Sequence, residues 1–400
     1  MTANAITVKK AALSPEHAEI VRATLPAVGA AIGDITPNFY RRMFGAHPEL
    51  LADTFNRGNQ KQGAQQRALA ASVATFATML VDPDAPAPEE LLARIGHKHV
   101  SVGIREDQYP IVHKHLFDAI EEVLTPEVFQ GDVRAAWDEV YLEMQRVLVD
   151  FENGLYSERG VEAGDVFRAA RIARREELGG DVLRLTVELA DGTVPEFRPG
   201  QYISVRWTMA DGARQLRQYS LIGAPGEPLT FAVRRVDAAA DLPAGEVSTA
   251  LWEQAKEGDD IEISLPAGDL VLDEDSDAPV VLVSAGIGAT PMLGMLAHLA
   301  RTGSARRVLV LHADRSEEHD VLRKDRDAAV AGLDDAEVRT WYEPELMDVA
   351  DVDLPAGAEI YLCGGNGFLQ AVRDQLAATG VDRDHVHFEL FGPNDWLLDR

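Results

Sequence analysis

The amino-acid sequence predicts a multidomain protein with an all-helical region, then an antiparallel β-barrel, then an α/β region with a parallel sheet. Apolar residues recur every three or four positions up to about residue 156, and every second position in short segments after residue 182. Beyond residue 279, fully apolar runs alternate with helical patterns, which is typical of parallel strands covered on both faces. We therefore place the domains at 1–154, 163–275 and 276–400.

The helical region is predicted to run from Ser14 to about Tyr156. Ser14 is followed by Pro and Glu, a combination that commonly starts a helix. Residues such as Ile35 and Phe39 continue an apolar stripe at helical spacing. The Pro-rich stretch VDPDAPAPEE, 81–90, interrupts the pattern once and is predicted to be a loop.

Short segments of alternating polarity predict the strands of the barrel. They cover 182–189, 203–207, 229–233 and 261–265, and Pro- and Gly-rich turns separate them. Because no long helices intervene, the pattern favours an antiparallel barrel over a parallel sheet.

The third region alternates strands with helices. Its predicted strands are VVLVS, RVLVLHA, EVRTWY, EIYLCGG and HVHFELFG. After the first strand, SAGIGATPMLGML (284–296) opens a helix, so Gly286 and Gly288 would let the backbone approach a pyrophosphate at the positive helix end. Pro291 stands where a Rossmann fingerprint has its third Gly. A lone G-x-G is equally often just a tight strand–helix turn.

Composition excludes several classes of protein. With 38 Lys and Arg against 66 Asp and Glu, the net charge of −28 argues against a nucleic-acid or anionic-membrane surface. Cys363 is the only cysteine, so a disulfide framework is excluded. There is neither a signal-peptide pattern nor an apolar run of about 20 residues, and we expect a cytoplasmic protein without membrane insertion.

The barrel segment RQYSL, 217–221, falls at the end of a predicted strand. Arg217 offers a cation for a pyrophosphate, Tyr219 a flat ring for an isoalloxazine, and Ser220 a hydrogen-bond donor near its N5 atom. Residues two apart on a strand lie on the same face. Taken alone, however, an Arg and a Tyr on a strand are usually cross-strand partners.

Four histidines occur in two H-x-H pairs. On a helix through 91–104, His99 follows Ile95 by four positions and therefore lies on the apolar stripe. His97 is about 200° away and is expected among the surface positions. A four-histidine metal site with His113 and His115 is the competing interpretation, but residues two apart on a helix do not face one ion. A core histidine without a ligand is the remaining alternative for His99.

Several motifs together resemble the ferredoxin-NADP reductase superfamily over roughly 163–400. They are RQYSL, GEVS (245–248), SAGIGATPM, YLCGG and the terminal aromatic strand, in this order. The resemblance implies an FAD-binding barrel and an α/β domain that binds NAD(P)H. The FAD residues that it implies are Tyr202, Arg217, Gln218, Tyr219, Ser220 and Ser248, with Ser248 at the phosphate. The nicotinamide-nucleotide and terminal residues are Gly286, Ile287, Gly288, Ala289, Thr290, Pro291, Cys363, Gly364, Glu389, Leu390, Phe391, Gly392 and Pro393.

Two of these positions depart from the family. Ala289 stands where the family often has Gln, and Leu390 stands where it often has Cys near the nicotinamide. Both departures leave the nicotinamide contacts open. Phe391 is expected to stack on the flavin.

The helical region resembles a globin, and the whole chain resembles the flavohaemoglobins. PNFYRRMFGAHPELLADTFNRGNQKQGAQQRALA is similar to a distal half and LLARIGHKHVSVGIREDQYPIVHKHL to a proximal half. The resemblance implies haem b with His99 as the ligand of its iron. It further implies Phe55 packed on the haem, and a distal pocket of Tyr40, Gln65 and Leu69. A core Tyr40 bonded to a backbone carbonyl is the alternative.

On the proximal side, the family pattern adds Tyr109 and Glu152. A carboxylate that accepts the N–H of the ligand imidazole increases electron density on iron. A solvated Glu152 at a helix end is the alternative. The family also suggests an ion pair between Lys98 and Glu389.

The resemblance implies a nitric oxide dioxygenase that converts NO and O₂ to nitrate with electrons from NAD(P)H through FAD to haem iron. A haem gas sensor or an oxygen-binding protein kept ferrous by its own reductase is the second hypothesis, and a plain flavin reductase is the third. We expect a monomer that acts on small molecules. Arg315 and Ser316 could receive a 2′-phosphate, but Asp314 would repel it, which favours NADH.

Overall fold

The structure is a computed structural model that divides the chain into two compact units. The first unit comprises the residues up to Phe167 together with Thr208–Leu216, and the second comprises Arg168–Trp207 and Arg217–Gly392. The residues that it describes are 12–57, 64–82, 89–125, 127–238 and 243–392, with the backbone alone for 64–71 and 89–90.

The first unit is helical, as predicted. Ser14 begins its first helix, because the Ser14 hydroxyl accepts a hydrogen bond from the backbone N–H of His17 at 3.2 Å. Fully buried side chains such as Phe39, Phe76 and Trp137 form its core. The helices are α1 (Pro15–Ala46), α2 (Pro48–Asp53), α3 (Ala64–Val81), α4 (Glu89–Val102), α5 (Tyr109–Leu124) and α6 (Gly131–Glu158).

The loop predicted at 81–90 is wrong at both ends. Val81 is the last residue of α3, and Glu89 already belongs to α4. Positions 83–88 lie outside the described residues. The acidic pair Glu89–Glu90 belongs to the first turn of α4 and not to the loop, because Glu is a good helix former and suits a helix N-terminus.

The second unit begins with a six-stranded sheet of order β4-β3-β6-β1-β2-β5. β1 pairs with β2, β2 with β5 and β3 with β6, all antiparallel. Leu221, just after β4, bridges Phe231 on β5, so the two edges meet and the predicted barrel is confirmed. The elements are β1 (Phe167–Gly179), β2 (Val182–Leu189), β3 (Tyr202–Thr208), β4 (Arg214–Ser220), β5 (Leu229–Arg234), α7 (Glu246–Gln254) and β6 (Asp260–Ser264).

A five-stranded sheet of order β11-β10-β7-β8-β9 follows, with every neighbouring pair parallel. The apolar runs predicted it correctly, because β7, β8 and β10 are buried almost throughout. No helix in the described part of the chain is long and apolar enough to cross a membrane. The elements are β7 (Val280–Ala285), α8 (Ala289–Thr302), β8 (Val308–Asp314), α9 (Arg323–Ala331), β9 (Ala336–Tyr342), β10 (Glu359–Gly364), α10 (Asn366–Ala378) and β11 (Val386–Leu390).

Candidate functional site

His99, near the end of α4, meets a buried carboxylate from α6. The imidazole Nδ1–H donates to Oε1 of Glu152 at 2.7 Å, and the hydroxyl of Tyr109 donates to the same oxygen at 2.7 Å. Glu152 is 2% exposed, so these two donors replace the water that its charge requires. With Nδ1 protonated, the lone pair of the imidazole is on Nε2, which is the form that binds a metal.

Tyr109 is held in place to serve this carboxylate. It is the first residue of α5, and its backbone carbonyl accepts a hydrogen bond from the hydroxyl of Tyr141 at 2.9 Å. Burial, and next the negative charge of Glu152, raise the pKa of the Tyr109 phenol. The phenol therefore remains a donor over the whole physiological pH range.

His97 contradicts its predicted place at the surface. Its ring is half-buried and packs edge-on against Phe151 of α6, with ring centroids 5.4 Å apart. The reason is that α4 and α6 pack closely: a Cβ at Gly96 would lie 2.4 Å from the ring of Phe151. His99 is itself half-buried, with 30% of its side chain exposed. The apolar stripe thus predicted the face of His99 correctly and underestimated the buried width of the helix.

The four-histidine site is not what the structure builds. Nε2 of His113 lies 2.8 Å from Oδ1 of Asp138, and the ring of the buried His115 packs against His47. The pairs are helical, as expected, so the members of each pair point to different neighbours. Among the described residues, no group of three or more His, Cys, Asp or Glu side chains is arranged to hold a metal ion.

Tyr40 belongs to a cluster of aromatic side chains on the distal half of the helical unit. It is 3% exposed, and its ring lies 5.4 Å from that of Phe44 and 6.0 Å from that of Phe55. The cluster brings Tyr40, the distal residue whose side chain the structure describes, together with Phe55, which is predicted to pack on the haem. Gln65 and Leu69 belong to the backbone of α3, and their side chains lie outside the described residues.

The flavin motif occupies β4, as predicted. Arg217 is half-buried, and Nε2 of Gln218 donates to the hydroxyl of Ser204 at 2.8 Å. The ring of Tyr219 stacks on Phe231 of β5, with centroids 5.3 Å apart. Ser220 is buried at 5% exposure. The motif therefore presents one cation and one fixed ring at the end of a rigid strand.

Two other predicted FAD residues are placed by glycines. The buried Tyr202 packs so closely on Gly268 that a Cβ there would lie 3.0 Å from its ring. Ser248 lies in the first turn of α7, and its hydroxyl donates to the carbonyl of Gly245 at 3.2 Å. That hydroxyl also accepts from the backbone N–H of Val236 at 3.3 Å. The phosphate role of Ser248 remains a prediction.

The turn between β7 and α8 requires its glycines. Gly286 has φ +53°, a backbone conformation that favours glycine. At Gly288, a Cβ would lie 2.4 Å from the carbonyl oxygen of Cys363, so only glycine lets this turn approach β10. Cys363 is fully buried, and burial raises the pKa of its thiol. Its side chain is therefore a core residue, and only its backbone reaches the turn.

The remaining residues of the predicted motif form the start of α8. Thr290 is buried, and its hydroxyl donates to the carbonyl of Ile287 at 2.9 Å, which closes the first turn of α8. Ala289 begins the helix, and Pro291 is its third residue, where no backbone N–H is needed. Gly364 ends β10 beside this turn.

A small open cleft adjoins the glycine turn. Gly286, Ile287 and Ala289 line the cleft, together with Asp314, the last residue of β8, and Arg315, which follows it. Arg234 and His319 are among the cleft residues that sequence reasoning missed. The signal for Arg234 was a cation at the end of the alternating strand LTFAVR, the same pattern that made Arg217 a candidate.

Buried polar side chains around His312 lie next to the cleft. His312 is 1% exposed, with Nδ1 2.9 Å from the hydroxyl of Ser284 and Nε2 3.4 Å from Oδ1 of Asp320. Burial opposes the ionisation of Asp314, but the neighbouring His312, whose Nε2 lies 3.7 Å from Oδ2, and a hydrogen bond from the Arg315 N–H lower the pKa of Asp314 overall. The cleft therefore presents a carboxylate at neutral pH.

The terminal strand holds the last predicted residues. Glu389 is 8% exposed, and its Oε1 accepts from the backbone N–H of Leu390 at 2.9 Å. Phe391 is 50% exposed and Gly392 is exposed, whereas Pro393 lies outside the described residues. Because Lys98 and Glu389 belong to different compact units, their pairing remains a prediction.

A histidine backed by a buried carboxylate, followed by a flavin-type barrel and a nucleotide-binding turn, defines a haem domain joined to a flavin reductase. Residues 37–148 match the Globin family model. The flavohemoprotein of Chromobacterium violaceum is 40% identical, over 95% of this chain and 98% of that protein. The chain belongs to the flavohemoprotein family.

Solved structures agree with this family. The flavohemoglobin of Malassezia yamatoensis, determined with bound FAD and haem, gives a TM-score of 0.87 at 33% identity and covers 95% of this chain and all of that one. The FAD/NAD-binding domain of the nitric oxide dioxygenase of Vibrio cholerae O1 biovar El Tor gives a TM-score of 0.53 at 34% identity. It covers 56% of this chain and 99% of that chain.

Proposed function

We propose that this flavohemoprotein is a nitric oxide dioxygenase that converts NO and O₂ to nitrate with NAD(P)H as the reductant. The observation that carries the proposal is the His99–Glu152–Tyr109 arrangement, in a chain that also contains its own reductase. A carrier that only binds oxygen does not need a buried anion behind its ligand. The Vibrio cholerae relative is named for this activity.

The cofactors are haem b, FAD and NAD(P)H, and the residues present fit them. His99 keeps Nε2 for the iron, because its Nδ1–H already donates to Glu152. When bound, FAD supplies the conversion of a hydride into single electrons, and haem iron supplies the activation of dioxygen. The remaining chemistry belongs to the side chains of this chain.

On the proximal side, Glu152 polarises the imidazole. Its carboxylate attracts the Nδ1 proton of His99 and gives the ring partial imidazolate character. Tyr109 limits this effect, because its hydroxyl shares the same oxygen. The pair of donors therefore sets how strongly the ligand donates electrons to the metal.

On the distal side, Tyr40 and Gln65 donate hydrogen bonds to the oxygen substrate. Tyr40 has the required low exposure, since in a dry pocket one hydroxyl donor is stronger than in water. Phe55 packs on the haem and Leu69 belongs to the distal pocket, by the family pattern. By the family pattern, Lys98 and Glu389 pair to link the haem and flavin domains.

In the reductase, Arg217 and Ser248 hold the phosphates of FAD, and Tyr219, fixed by Phe231, covers its ring. Tyr202, Gln218 and Ser220 complete this site, and Phe391 covers the opposite part.

For the nicotinamide nucleotide, the backbone of the glycine turn binds the pyrophosphate. Arg234 and Arg315 supply the positive charge of the cleft.

Two observations on the purified protein test the proposal. An absorption spectrum should show haem and FAD in equal amounts. With NADH in aerated buffer, two molecules of NO and two of O₂ should yield two of nitrate for each NADH oxidised. Nitrous oxide or nitrite as the main product would contradict a dioxygenase.

A further inference from the structure

The segment Thr208–Leu216 joins β3 to the flavin motif, yet it belongs to the compact unit of the helices. It is a tight hairpin whose turn contains Asp211 and Gly212, with Gly212 at φ +84°. The backbone N–H of Met209 donates to the carbonyl of Ala213 at 2.8 Å, which closes the hairpin. The hairpin is thus a defined structure rather than a loose loop.

Gln215, on the second strand of this hairpin, binds a single stretch of helical-unit backbone. Its Nε2 donates to the carbonyls of Leu51 at 3.1 Å and of Ala52 at 3.0 Å, and its Oε1 accepts from the N–H of Arg57 at 3.2 Å. The side chain is completely buried. A buried amide with both ends bonded to one segment fixes the geometry of that segment, and removing it leaves backbone groups unsatisfied.

Two ion pairs flank this glutamine: the hairpin contributes the cation of one pair and the anion of the other. Arg214 of the hairpin contacts both carboxylate oxygens of Asp53, at 2.7 and 3.3 Å. Asp211 of the hairpin accepts from Arg57 at 2.6 Å. Because these groups are partly exposed, the pairs contribute register and orientation more than stability.

The stretch that the hairpin binds carries Phe55. α2 ends at Asp53, and a helix C-terminus leaves carbonyls that need outside donors, which Gln215 supplies. Two positions further on, Phe55 turns inward and packs on Tyr40 and Phe44, with the Phe44 ring 5.3 Å away. The hairpin and the aromatic cluster therefore hold the same short segment from two sides.

We propose that Gln215 is a positioning residue of the haem pocket, which holds the Leu51–Arg57 segment so that Phe55 packs on the haem. The proposal rests on the proposed function only through the presence of haem in this pocket. Gln215 touches neither substrate nor cofactor and acts through the backbone of α2. Without its hydrogen bonds, the segment moves and haem leaves the pocket faster.

The test is the rate of haem transfer from the full-length, haem- and FAD-loaded chain to an apo-globin acceptor. Gln215→Met keeps the length of the side chain and removes its hydrogen bonds, so we expect haem loss about tenfold faster. Gln375→Met is the matched control, because Gln375 also binds a backbone N–H, that of Val349, but in the second unit. The control should lose haem at the wild-type rate.

A charge swap provides an independent arm if Gln215→Met does not fold. Asp53→Arg and Arg214→Asp should each speed haem loss, and the double variant should restore it in part. Unchanged haem loss in Gln215→Met, or a double variant no slower than either single one, would overturn the proposal. Neither measurement uses NO, so a negative result for Gln215 leaves the dioxygenase proposal standing. A chain that takes up no haem would overturn both the Gln215 proposal and the dioxygenase proposal.

Discussion

Glu152 is the residue whose burial has the largest consequence for the haem side. A carboxylate at 2% exposure is stable only with partners, and it has two, from His99 and Tyr109. The alternative of a solvated acid at a helix end is therefore wrong. Sequence spacing could not decide between these, because the partners lie 43 and 53 positions away along the chain.

Replacing the charge at Glu152 tests its role. In Glu152→Gln, we expect a lower iron–imidazole stretching frequency, a higher haem reduction potential and a turnover with NO slower by about tenfold or more, because the imidazole loses its anionic acceptor. Resonance Raman spectroscopy and redox titration measure the first two. Glu143→Gln, on the same helix but paired with Arg146 at the surface, is the control and should leave all three unchanged. Identical Raman frequencies in both variants would refute the role.

Substitutions at the two histidines that flank Lys98 test which of them is the haem ligand. His99→Ala should lose the haem or its normal Soret band, because the imidazole backed by Glu152 is removed. His97→Ala should keep both, since the ring of His97 packs on Phe151 of α6. Absorption spectra of the two purified variants decide. A His97→Ala variant that loses the band while His99→Ala keeps it would show that the ligand is misassigned.

At the scale of elements, the spacing of apolar residues predicted the helices and strands whose formation depends on their own local sequence. The helices, the parallel strands and the glycine turn all appear where their patterns indicated. β1 was missed, because its sequence FRAARIARREELG is charged and exposes many of its side chains. Its strand character comes from pairing with β2, and such pairing is not visible in the spacing of one segment.

The nucleotide cleft shows the same limit. The glycines were predictable, since a strand, a G-x-G turn and a helix form one local unit. Arg234 had a signal as a cation at a strand end, but its place in the cleft and that of His319 were not predictable, because both reach the cleft only when β5 and the residues after β8 fold against that turn. The buried side chain of Cys363 was likewise not predictable, since it depends on the sheet around β10.

The carboxyl end of β8 should decide between the two nicotinamide coenzymes. The neighbouring His312 and a hydrogen bond from the Arg315 N–H lower the pKa of Asp314, and a carboxylate at this place repels a 2′-phosphate. We expect a higher kcat/KM with NADH than with NADPH, and Asp314→Ser should reduce that ratio by about tenfold. Steady-state reduction of the flavin by each coenzyme measures it.

A matched control is the exposed Asp351, which lies on a short 3₁₀ helix outside the cleft. Asp351→Ser should leave the coenzyme ratio as it is. An Asp314→Ser variant with an unchanged ratio would mean that another group selects the coenzyme.

At the scale of the whole molecule, one chain contains a globin domain and an FAD/NAD reductase module. Family membership follows from 40% identity to a flavohemoprotein over nearly the full length of both proteins. What the family cannot decide is the use of the electrons: an oxygen carrier needs them only to keep its iron ferrous, whereas a dioxygenase consumes them in every cycle. The buried anion behind His99 favours continuous turnover.

The most direct test is the rate of NO consumption by the haem- and FAD-loaded protein, with NADH in aerated buffer, while the haem spectrum is recorded. The proposed function predicts rapid, sustained removal of NO that stops when NADH is exhausted and does not occur without O₂. Slow removal of NO beside a stable oxygenated haem spectrum would contradict it and would make the protein an oxygen-binding or sensing haem protein.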